Sequence, residues 1–196
     1  MAKKRGVKKR SRVSGQGRKN TDFASAVSGL DKAWSAAKTT VPTNRTTRGP
    51  NANVPDGSYA VQVVEAATGV PKNGGNAYFR IRYVLLGELE GESVTSFNEI
   101  SDNPAFGAKS EKTKLDLLSE RLQLLGVDTS KIKTVSELEK VSKKMSATKV
   151  YARVGVRNRH ISAEESRTGD ARHYQDIFVN EVIKEDELND VLKELS

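Results

Sequence analysis

The sequence predicts a mainly β protein with helices, in which five strands form a small barrel and a helical segment is inserted between the third and fourth strands. Five segments between residues 55 and 182 alternate apolar and polar residues, which is the period of half-buried strands. Between the third and fourth segments the apolar residues recur at helical spacing instead. This order is that of an OB-like barrel, a partly open Greek-key barrel; an SH3-like barrel and an α+β sandwich are the competing architectures.

The first three strands are separated by turns that contain glycine. We expect them over residues 58–65, 77–86 and about 92–100, with turns at 55–57 and 71–76. Because successive side chains of a strand point to opposite faces, the alternation assigns one set of residues in the first two strands to the core. That set is Tyr59, Val61, Val63, Phe79, Ile81, Tyr83 and Leu85.

The helical insertion and the last two strands follow. Leucines spaced by three and four residues predict a helix over 112–125, and Gly126 follows where a C-terminal cap is expected. A second short helix is predicted from about residue 134 to 145. Strands resume over about 148–157 and 172–182, on either side of a polar loop at 158–171. The predicted core residues of the fourth strand are Val150, Ala152, Val154 and Val156.

The segments outside the barrel domain at 55–182 differ in composition. Residues 1–20 are mostly Lys, Arg, Ser and Gly, so we expect a disordered basic arm. Residues 21–38 are predicted to be an amphipathic helix that docks on the barrel through its apolar stripe; self-association into a homo-oligomer is the alternative. Residues 39–54 are predicted to be a linker, and residues 183–196 an acidic, helix-like segment.

Composition excludes several kinds of site. There is no cysteine, so neither a disulfide frame nor a thiolate zinc site can form, and His160 and His173 are the only histidines. No apolar run approaches the roughly 20 residues needed to cross a bilayer, so we expect a soluble, cytoplasmic protein without membrane contact.

Catalysis has little support in the sequence. There is no cysteine nucleophile, and neither histidine has a recognisable serine or acidic partner nearby in the chain. Asp176 and Glu99 are the only carboxylates that we consider for a two-metal nuclease site, which needs several acids converging from strands. We therefore expect a protein that is not an enzyme and that uses neither a metal nor a cofactor.

The charges are segregated along the chain. The formal net charge is +8, yet residues 1–19 carry +9 and residues 176–196 carry −5. Blocks of opposite sign at the two ends indicate a polyanion partner, with the acidic end kept away from it.

Two strands of the predicted barrel carry similar rows of outward-pointing side chains. An arginine pairs with phosphate or stacks on a base, and a tyrosine offers a flat stacking surface. Such a row therefore suits single-stranded nucleic acid, although for either row alone ordinary solvated strand residues are the simpler explanation. The rows are Tyr78, Arg80 and Arg82 on the second strand, and Tyr151, Arg153 and Arg157 on the fourth.

Loops and the basic arm add further candidate contacts. In OB-folds the loops that join strands 1–2 and 4–5 border the ligand groove, which places Lys72 and Arg159 beside it. The arm would add phosphate contacts that do not depend on sequence. Its candidate cations are Lys3, Lys4, Arg5, Lys8, Lys9, Arg10 and Arg12.

Short motifs across residues 55–182 are similar to those of a known family. They are Pro55-Asp-Gly-Ser-Tyr-Ala-Val-Gln-Val-Val64, Lys72-Asn-Gly-Gly-Asn76, Tyr78-Phe-Arg-Ile-Arg-Tyr-Val84 with Gly87 and Gly91, the helix end Leu124-Leu-Gly126 and the strand Val150–Val156. With them the chain resembles a family of bacteriophage-encoded single-stranded DNA-binding proteins. The resemblance implies an OB-like fold and a role in phage DNA replication or recombination, in bacterial or phage-infected host cytoplasm. Residues 1–54 depart from the compact form associated with this family.

Three functional hypotheses follow. In the first, the barrel is a largely sequence-independent binder of single-stranded DNA, and the acidic C-terminus recruits replication or recombination proteins or competes with DNA for the groove. In the second, the protein is a structural or assembly adaptor that contacts nucleic acid only through its basic arm, with residues 21–38 joining subunits. A third, an RNA-binding protein, differs from the first only in the sugar of its ligand.

Overall fold

The computed structural model describes residues 22–38, 47–49, 54–106, 108–162, 164 and 172–195, and at 47–49, 161, 172 and 173 it describes the backbone alone. The predicted basic arm at 1–20 and most of the loop at 158–171 that lies beyond Ser162 fall outside the described residues.

Six strands in the described part of the chain form one antiparallel sheet. Their order in the sheet is first, sixth, fifth, second, third, fourth. Three long strands, a helical insertion and two long strands therefore follow one another along the chain, as predicted for residues 55–182. The strands are β1 (Thr47–Gly49), β2 (Gly57–Gly69), β3 (Ala77–Leu85), β4 (Ser93–Ile100), β5 (Val150–Ile161) and β6 (Arg172–Ile183).

The long strand β2 is shared by both halves of the sheet. Residues 57–63 pair with β5, and residues 61–69 pair with β3. The register with β3 shifts between Val63 and Glu65, so Val64 is the extra residue of a β-bulge. A bulge bends its strand and increases the local twist. The edge strands β1 and β4 lie beside each other, and the sheet is thus a curled half-barrel.

The core fills the inside of the curled sheet, as the alternation predicted. On β3 the four predicted core side chains are fully buried, and on β2 Val61 and Val63 are buried while Tyr59 is half-buried. On β5, Ala152, Val154 and Val156 are buried and Val150 is partly buried. Burial of side chains of this size contributes about 1.5–3 kcal/mol each, which makes this face the main source of stability.

The helical insertion consists of α3 (Lys114–Leu124) and α4 (Leu138–Ala147), within one to four residues of the predicted bounds; α1 and α2 lie nearer the N-terminus and are described below. Thr113 caps α3, and its hydroxyl accepts a hydrogen bond from the Asp116 amide at 3.1 Å. Gly126 follows the helix with a φ of +77°, the left-handed conformation that favours glycine at a helix end. The leucine-rich helix and its stop were therefore correctly predicted.

A buried arginine ties α3 to the sheet. The Nη2 atom of Arg121 donates to the carbonyl oxygen of Ile177 on β6 at 2.9 Å, and the guanidinium lies close to the Tyr83 hydroxyl. Burial lowers the pKa of Arg121, while the neighbouring tyrosine favours the charged form. Because a buried charge is costly unless it is matched by polar partners, this contact fixes the position of α3 against β6.

The segment predicted as one helix at 21–38 forms two short helices, α1 (Phe23–Ala26) and α2 (Asp31–Ala37). Gly29, with a φ of +89°, lies in the turn between them. Trp34 is fully buried, and its Nε1 atom donates to the carbonyl oxygen of Ile132 at 3.1 Å. The predicted docking on the body is confirmed, since the apolar stripe is buried within its own chain.

Both segments that flank the predicted barrel domain have regular structure. Within the predicted linker at 39–54, β1 pairs with β6, opposite Gln175 to Ile177. Just before β2, the carbonyl oxygen of Val54 accepts hydrogen bonds from Asn158 Nδ2 at 2.9 Å and from Gln175 Nε2 at 3.0 Å. The linker is therefore partly built into the sheet. The acidic C-terminal segment forms the helix α5 (Leu188–Leu195), in agreement with the helix-like pattern.

Replacement of Trp34 tests whether α2 is an integral part of the fold. We expect Trp34→Ala to lower the free energy of unfolding by about 3–5 kcal/mol, because it empties a fully buried site and leaves the Ile132 carbonyl oxygen without its indole donor. Lys32→Ala, on the exposed side of the same helix, is the control and should change it by less than about 0.5 kcal/mol. Denaturant unfolding followed by circular dichroism measures both, and equal midpoints for the two variants would contradict the docking.

Candidate nucleic-acid interface

The outer face of β3 and β4 brings together the first predicted row. Tyr78, Arg80 and Arg82 point away from the core, as period-two alternation requires, and they lie opposite Glu99, Phe97 and Thr95 of β4. On the other side of β3 they lie opposite Gly69, Ala67 and Glu65 of β2. The predicted row is thus the middle part of an outer surface that β2, β3 and β4 form together.

A pair of aromatic side chains stands at the centre of this surface. The rings of Tyr78 and Phe97 are 5.6 Å apart between centroids and meet edge to face, with 63° between their planes. Phe97 is 41% exposed, which is unusual for a phenylalanine in the middle of a strand, and Tyr78 is half-buried. Aromatic rings that reach solvent on a sheet face are suited to stacking on unpaired bases.

Sequence reasoning missed Phe97. In the third predicted strand, Val94 and Ile100 belong to the same face, but the residues between them on that face are Ser96 and Asn98. The alternation of apolar and polar residues is therefore poor. Both polar residues are buried, and Asn98 Nδ2 donates to the Phe79 carbonyl oxygen at 3.0 Å. One signal in the sequence could have revealed Phe97. It lies an odd number of residues from Val94 and Ile100, the apolar residues at the two ends of the strand, and so must point to the opposite face.

Small residues on β2 leave room beside the aromatic pair. Ala67 and Gly69 lie opposite Arg80 and Tyr78. A methyl group added at Gly69 would come within 2.5 Å of the Tyr78 hydroxyl oxygen, so the tyrosine ring lies directly across the glycine. The absence of a side chain at Gly69 therefore sets the position of the ring.

The three cations of this surface differ in availability. Arg80 forms an ion pair with Glu65. Arg82 is exposed and makes no side-chain hydrogen bond or ion pair with any residue that the structure describes. Lys72 is exposed at the tip of the turn between β2 and β3, where the Gly74 amide donates to the Pro71 carbonyl oxygen at 3.1 Å. Among the described residues, Arg82 and Lys72 are therefore exposed cations, whereas Arg80 is paired with Glu65.

Glu99 fixes the end of the surface next to this turn. One of its carboxylate oxygens accepts hydrogen bonds from Asn76 and Ser101 at 2.6 Å each and from Asn103 at 3.1 Å. Partial burial raises the pKa of the Glu99 carboxyl, but these hydrogen bonds and the nearby Lys114 ammonium together hold it below its ordinary value. Glu99 thus ties the β2–β3 turn to the loop after β4.

The second predicted row lies on a different part of the outer surface. Tyr151 and Arg153 are opposite Gln62 and Ala60 of β2, whereas Arg80 is opposite Ala67. Seven residues of strand separate Ala60 from Ala67, which is about 23 Å, whereas the nearest partners of the two rows, Gln62 and Glu65, are three residues apart. Arg153 is moreover paired with two acids of its own chain, Glu194 with an N–O distance of 2.7 Å and Glu181 with 3.3 Å. The two rows therefore follow one another along β2 and do not lie side by side.

Arg157 and Arg159 lie further along β5, opposite β6, so the predicted start of the loop at residue 158 was wrong and Arg159 belongs to the strand, because β5 continues its pairing with β6 to Ile161. Both are exposed, and Arg157 makes no side-chain hydrogen bond or ion pair with the residues described. Arg159 lies 3.7 Å from the carboxylate of Asp176, which is almost fully buried. Asp176 lies on β6 and Glu99 on β4, and among the described residues neither belongs to a group of acids arranged to hold a metal ion.

In the residues that the structure describes, no group of three or more histidine and acidic side chains is arranged to hold a metal ion. Within the same residues, no helix combines the length and the apolar character that a membrane span requires.

Replacement of Gly69 tests the position of the aromatic pair. We expect Gly69→Ala to push the Tyr78 ring off the strand and to break its contact with Phe97, since the new methyl group would overlap the phenol. Aromatic NMR shifts of Phe97 measure this change. Ala67→Ser, at the neighbouring outward position, should leave those shifts close to wild type; equal spectra for Gly69→Ala and wild type would contradict the arrangement.

Comparison with known proteins adds no relative to this description. No protein-family model, no curated protein and no solved structure matches the chain. The outer face of β3 and β4 is therefore interpreted from its own side chains.

Proposed function

We propose that this chain is a non-enzymatic single-stranded DNA-binding protein, largely independent of sequence, that stacks bases on the outer face of β3 and β4. The observation that carries the proposal is the contact between exposed Phe97 and half-buried Tyr78 on the outer face, with Arg80 and Arg82 on the same surface. Stacking on the faces of bases is possible for every base, and the arginines can pair with phosphates on either side.

The architecture supports this location. Counted without the short β1, the five long strands and the helical insertion between the third and fourth have the order of an OB-like barrel. In OB-folds the face of strands 2 and 3 and the loops joining strands 1–2 and 4–5 bind oligonucleotides. In this chain that face is β3 and β4, and Lys72 lies in the first of the two loops.

The composition of the basic arm favours a polyanionic ligand over a neutral one. OB-folds also bind oligosaccharides, but nine cations without an acid in residues 1–19 favour a phosphate backbone. We propose that the arm adds phosphate contacts through Lys3, Lys4, Arg5, Lys8, Lys9, Arg10 and Arg12. The corresponding cellular role is phage DNA replication or recombination in the cytoplasm of a bacterial host, with replication or recombination proteins as partners.

Substitutions on the aromatic pair test the proposal. We expect Tyr78→Ala and Phe97→Ala each to weaken binding of a dT20 oligonucleotide by roughly 5- to 150-fold, because a stacked base contributes about 1–3 kcal/mol. Tyr78→Phe keeps the ring and should bind nearly as wild type, which separates stacking from loss of the hydroxyl. Fluorescence anisotropy measures the affinities, with circular dichroism as the folding check.

The same titration carries its controls. Lys143→Ala removes an exposed cation from α4 that is paired with Glu139, and it should leave the affinity almost unchanged. Normal binding by folded Tyr78→Ala and Phe97→Ala proteins would refute this face as the site. Tighter binding of an RNA oligonucleotide of the same sequence would assign the ligand to RNA.

Removal of the arm separates the proposal from the adaptor hypothesis. The informative deletion covers residues 2–19, because a larger one that reaches Trp34 would remove part of the core. We expect the remaining protein still to bind dT20, with the slope of log affinity against log salt reduced by up to roughly 6, about 0.7 for each of the nine cations. Complete loss of binding in the deletion would favour an adaptor that holds nucleic acid only through its arm.

A further inference from the structure

An apolar groove with a volume of about 560 Å³ lies between α4, the segment that leads to it from α3, and the start of β5. None of its lining residues belongs to β3 or β4, so the groove is separate from the proposed DNA-binding face. Its walls carry six apolar side chains, which are Leu125, Val127, Ile132, Val141, Met145 and Val150.

An exposed valine extends this apolar surface. Gly126 lines the groove, and a methyl group added there would lie 3.6 Å from a methyl carbon of Val182 on β6. Val182 is 39% exposed, although Ala152, its partner across the strands, is fully buried. An apolar surface that stays open and has a polar rim is typical of an interaction site.

The size of the groove suits several side chains of a partner. A cavity of roughly 150 Å³ holds one benzene-sized group, so a volume of about 560 Å³ has room for about three large apolar side chains. The buried Met145 lies in its wall, and a methionine side chain adapts to apolar groups of different shape. The groove can therefore accept a row of apolar anchors.

Lysines stand along the rim of the groove. Lys140 and Lys144 lie one turn apart on α4, and both are exposed. Neither forms an ion pair or a side-chain hydrogen bond with any residue that the structure describes. Two neighbouring ammonium groups beside an apolar groove favour a ligand that carries acidic groups next to its apolar ones.

The acids of the groove do not neutralise these two lysines. Asp128 pairs with Lys131, another residue of the rim, at 2.9 Å. Glu137 accepts a hydrogen bond from the Lys133 amide at 2.7 Å, which is the main reason that its pKa is lowered, and Lys140 lowers this pKa further without forming an ion pair. With three lysines against two acids, the lining has a net positive charge.

We propose that this groove binds an amphipathic, acidic helix of a partner protein, whose apolar side chains enter the groove and whose carboxylates pair with Lys140 and Lys144. The proposal goes beyond the proposed function and does not depend on DNA binding. Helices recognised in this way present apolar anchors at spacings of three, four and seven residues, which matches a groove with one helical wall.

The charged segments of the chain itself do not suit the groove. Residues 1–19 carry nine cations and no acid, so the lysine rim repels them. The acidic helix α5 is held elsewhere by the pairing of Glu194 with Arg153. The segment 163–171 follows the end of β5 opposite to Val150, and its only apolar residues are alanines. These considerations favour an occupant from another protein.

A designed peptide is the probe for the groove. It has about 14 residues, or roughly 21 Å of helix, with leucines at spacings of three and four and glutamates on either side of them. We expect it to bind the full chain saturably and to shift the methyl NMR signals of Ile132, Val141, Met145 and Val150. The methyl signals of Val94 on β4 should not move, and a matched peptide with lysines in place of the glutamates should not bind.

Substitutions on the rim test the charge complementarity. Lys140→Ala combined with Lys144→Ala should weaken binding of the glutamate peptide about 2- to 25-fold, the range for the loss of two exposed ion pairs. Lys109→Ala combined with Lys143→Ala is the matched control. It removes two exposed cations that do not line the groove, so the affinity should be almost unchanged. Fluorescence anisotropy of the labelled peptide measures the affinities, and circular dichroism checks folding.

Several outcomes would overturn the proposal. They are absence of binding by the glutamate peptide, equal binding of the two peptides, equal losses in the two double variants, and methyl shifts at β3 and β4 in place of the groove. Dimerisation of the free protein that Lys140→Ala with Lys144→Ala abolishes would assign the groove to a second copy of the chain. Shifts of the groove methyl signals by dT20 would assign it to nucleic acid.

The test also distinguishes this proposal from the proposed function. Normal peptide binding by a protein that does not bind dT20 would refute the proposed function and leave the groove as a docking site. Normal dT20 binding without peptide binding would have the opposite meaning.

Discussion

The double pairing of β2 is the constraint on which the rest of the structure depends. One strand supplies hydrogen bonds to β5 along its first half and to β3 along its second half, and residues Val61 to Val63 pair on both sides. A flat strand would place these neighbours in one plane. The extra residue at Val64 bends β2, so that side chains on either side of the bulge still point to a common core. The curl of the sheet, the closeness of its edges and the separation of the two outward rows all follow from this bend.

The bend divides the outer face of the sheet into a β3–β4 half and a β5 half, and the two halves differ in which side chains they expose. On the β3–β4 half, the ring of Phe97 is exposed and that of Tyr78 is half-buried beside the small residues Gly69 and Ala67. On the β5 half, Ala60 is buried and Arg153 is paired with Glu194 of α5. The same sheet therefore carries an aromatic pair on one half and an arginine already paired with an acid on the other.

Period-two and helical alternation were sufficient to predict the element order, the inward residues of β3 and the stop of α3 at Gly126, because these features depend on local sequence. The bulge at Val64 could not be predicted, since it exists only in the pairing with β3, and nothing in the run of valines marks the extra residue. The same holds for β1, whose three residues are a strand only because β6 offers a free edge. Arg153 was correctly placed on the outer face, but its partner Glu194 is 41 residues away. Phe97 was missed because the inward-facing positions of its strand include the polar residues Ser96 and Asn98, so the strand lacks a clear apolar–polar alternation.

The placement of polar groups on β4 also supports the proposed binding without regard to base sequence. Base edges are read by side chains that offer free hydrogen-bond donors and acceptors, amides above all. On this strand the amide of Asn98 and the hydroxyl of Ser96 point into the core, and one oxygen of Glu99 already accepts from three donors. What faces solvent at the centre of the surface is the ring of Phe97 beside that of Tyr78. Rings stack on any base, and the guanidinium groups of Arg80 and Arg82 are suited to the phosphates that all nucleotides share, so the proposed surface matches features that every nucleic-acid strand has in common, whatever its sequence.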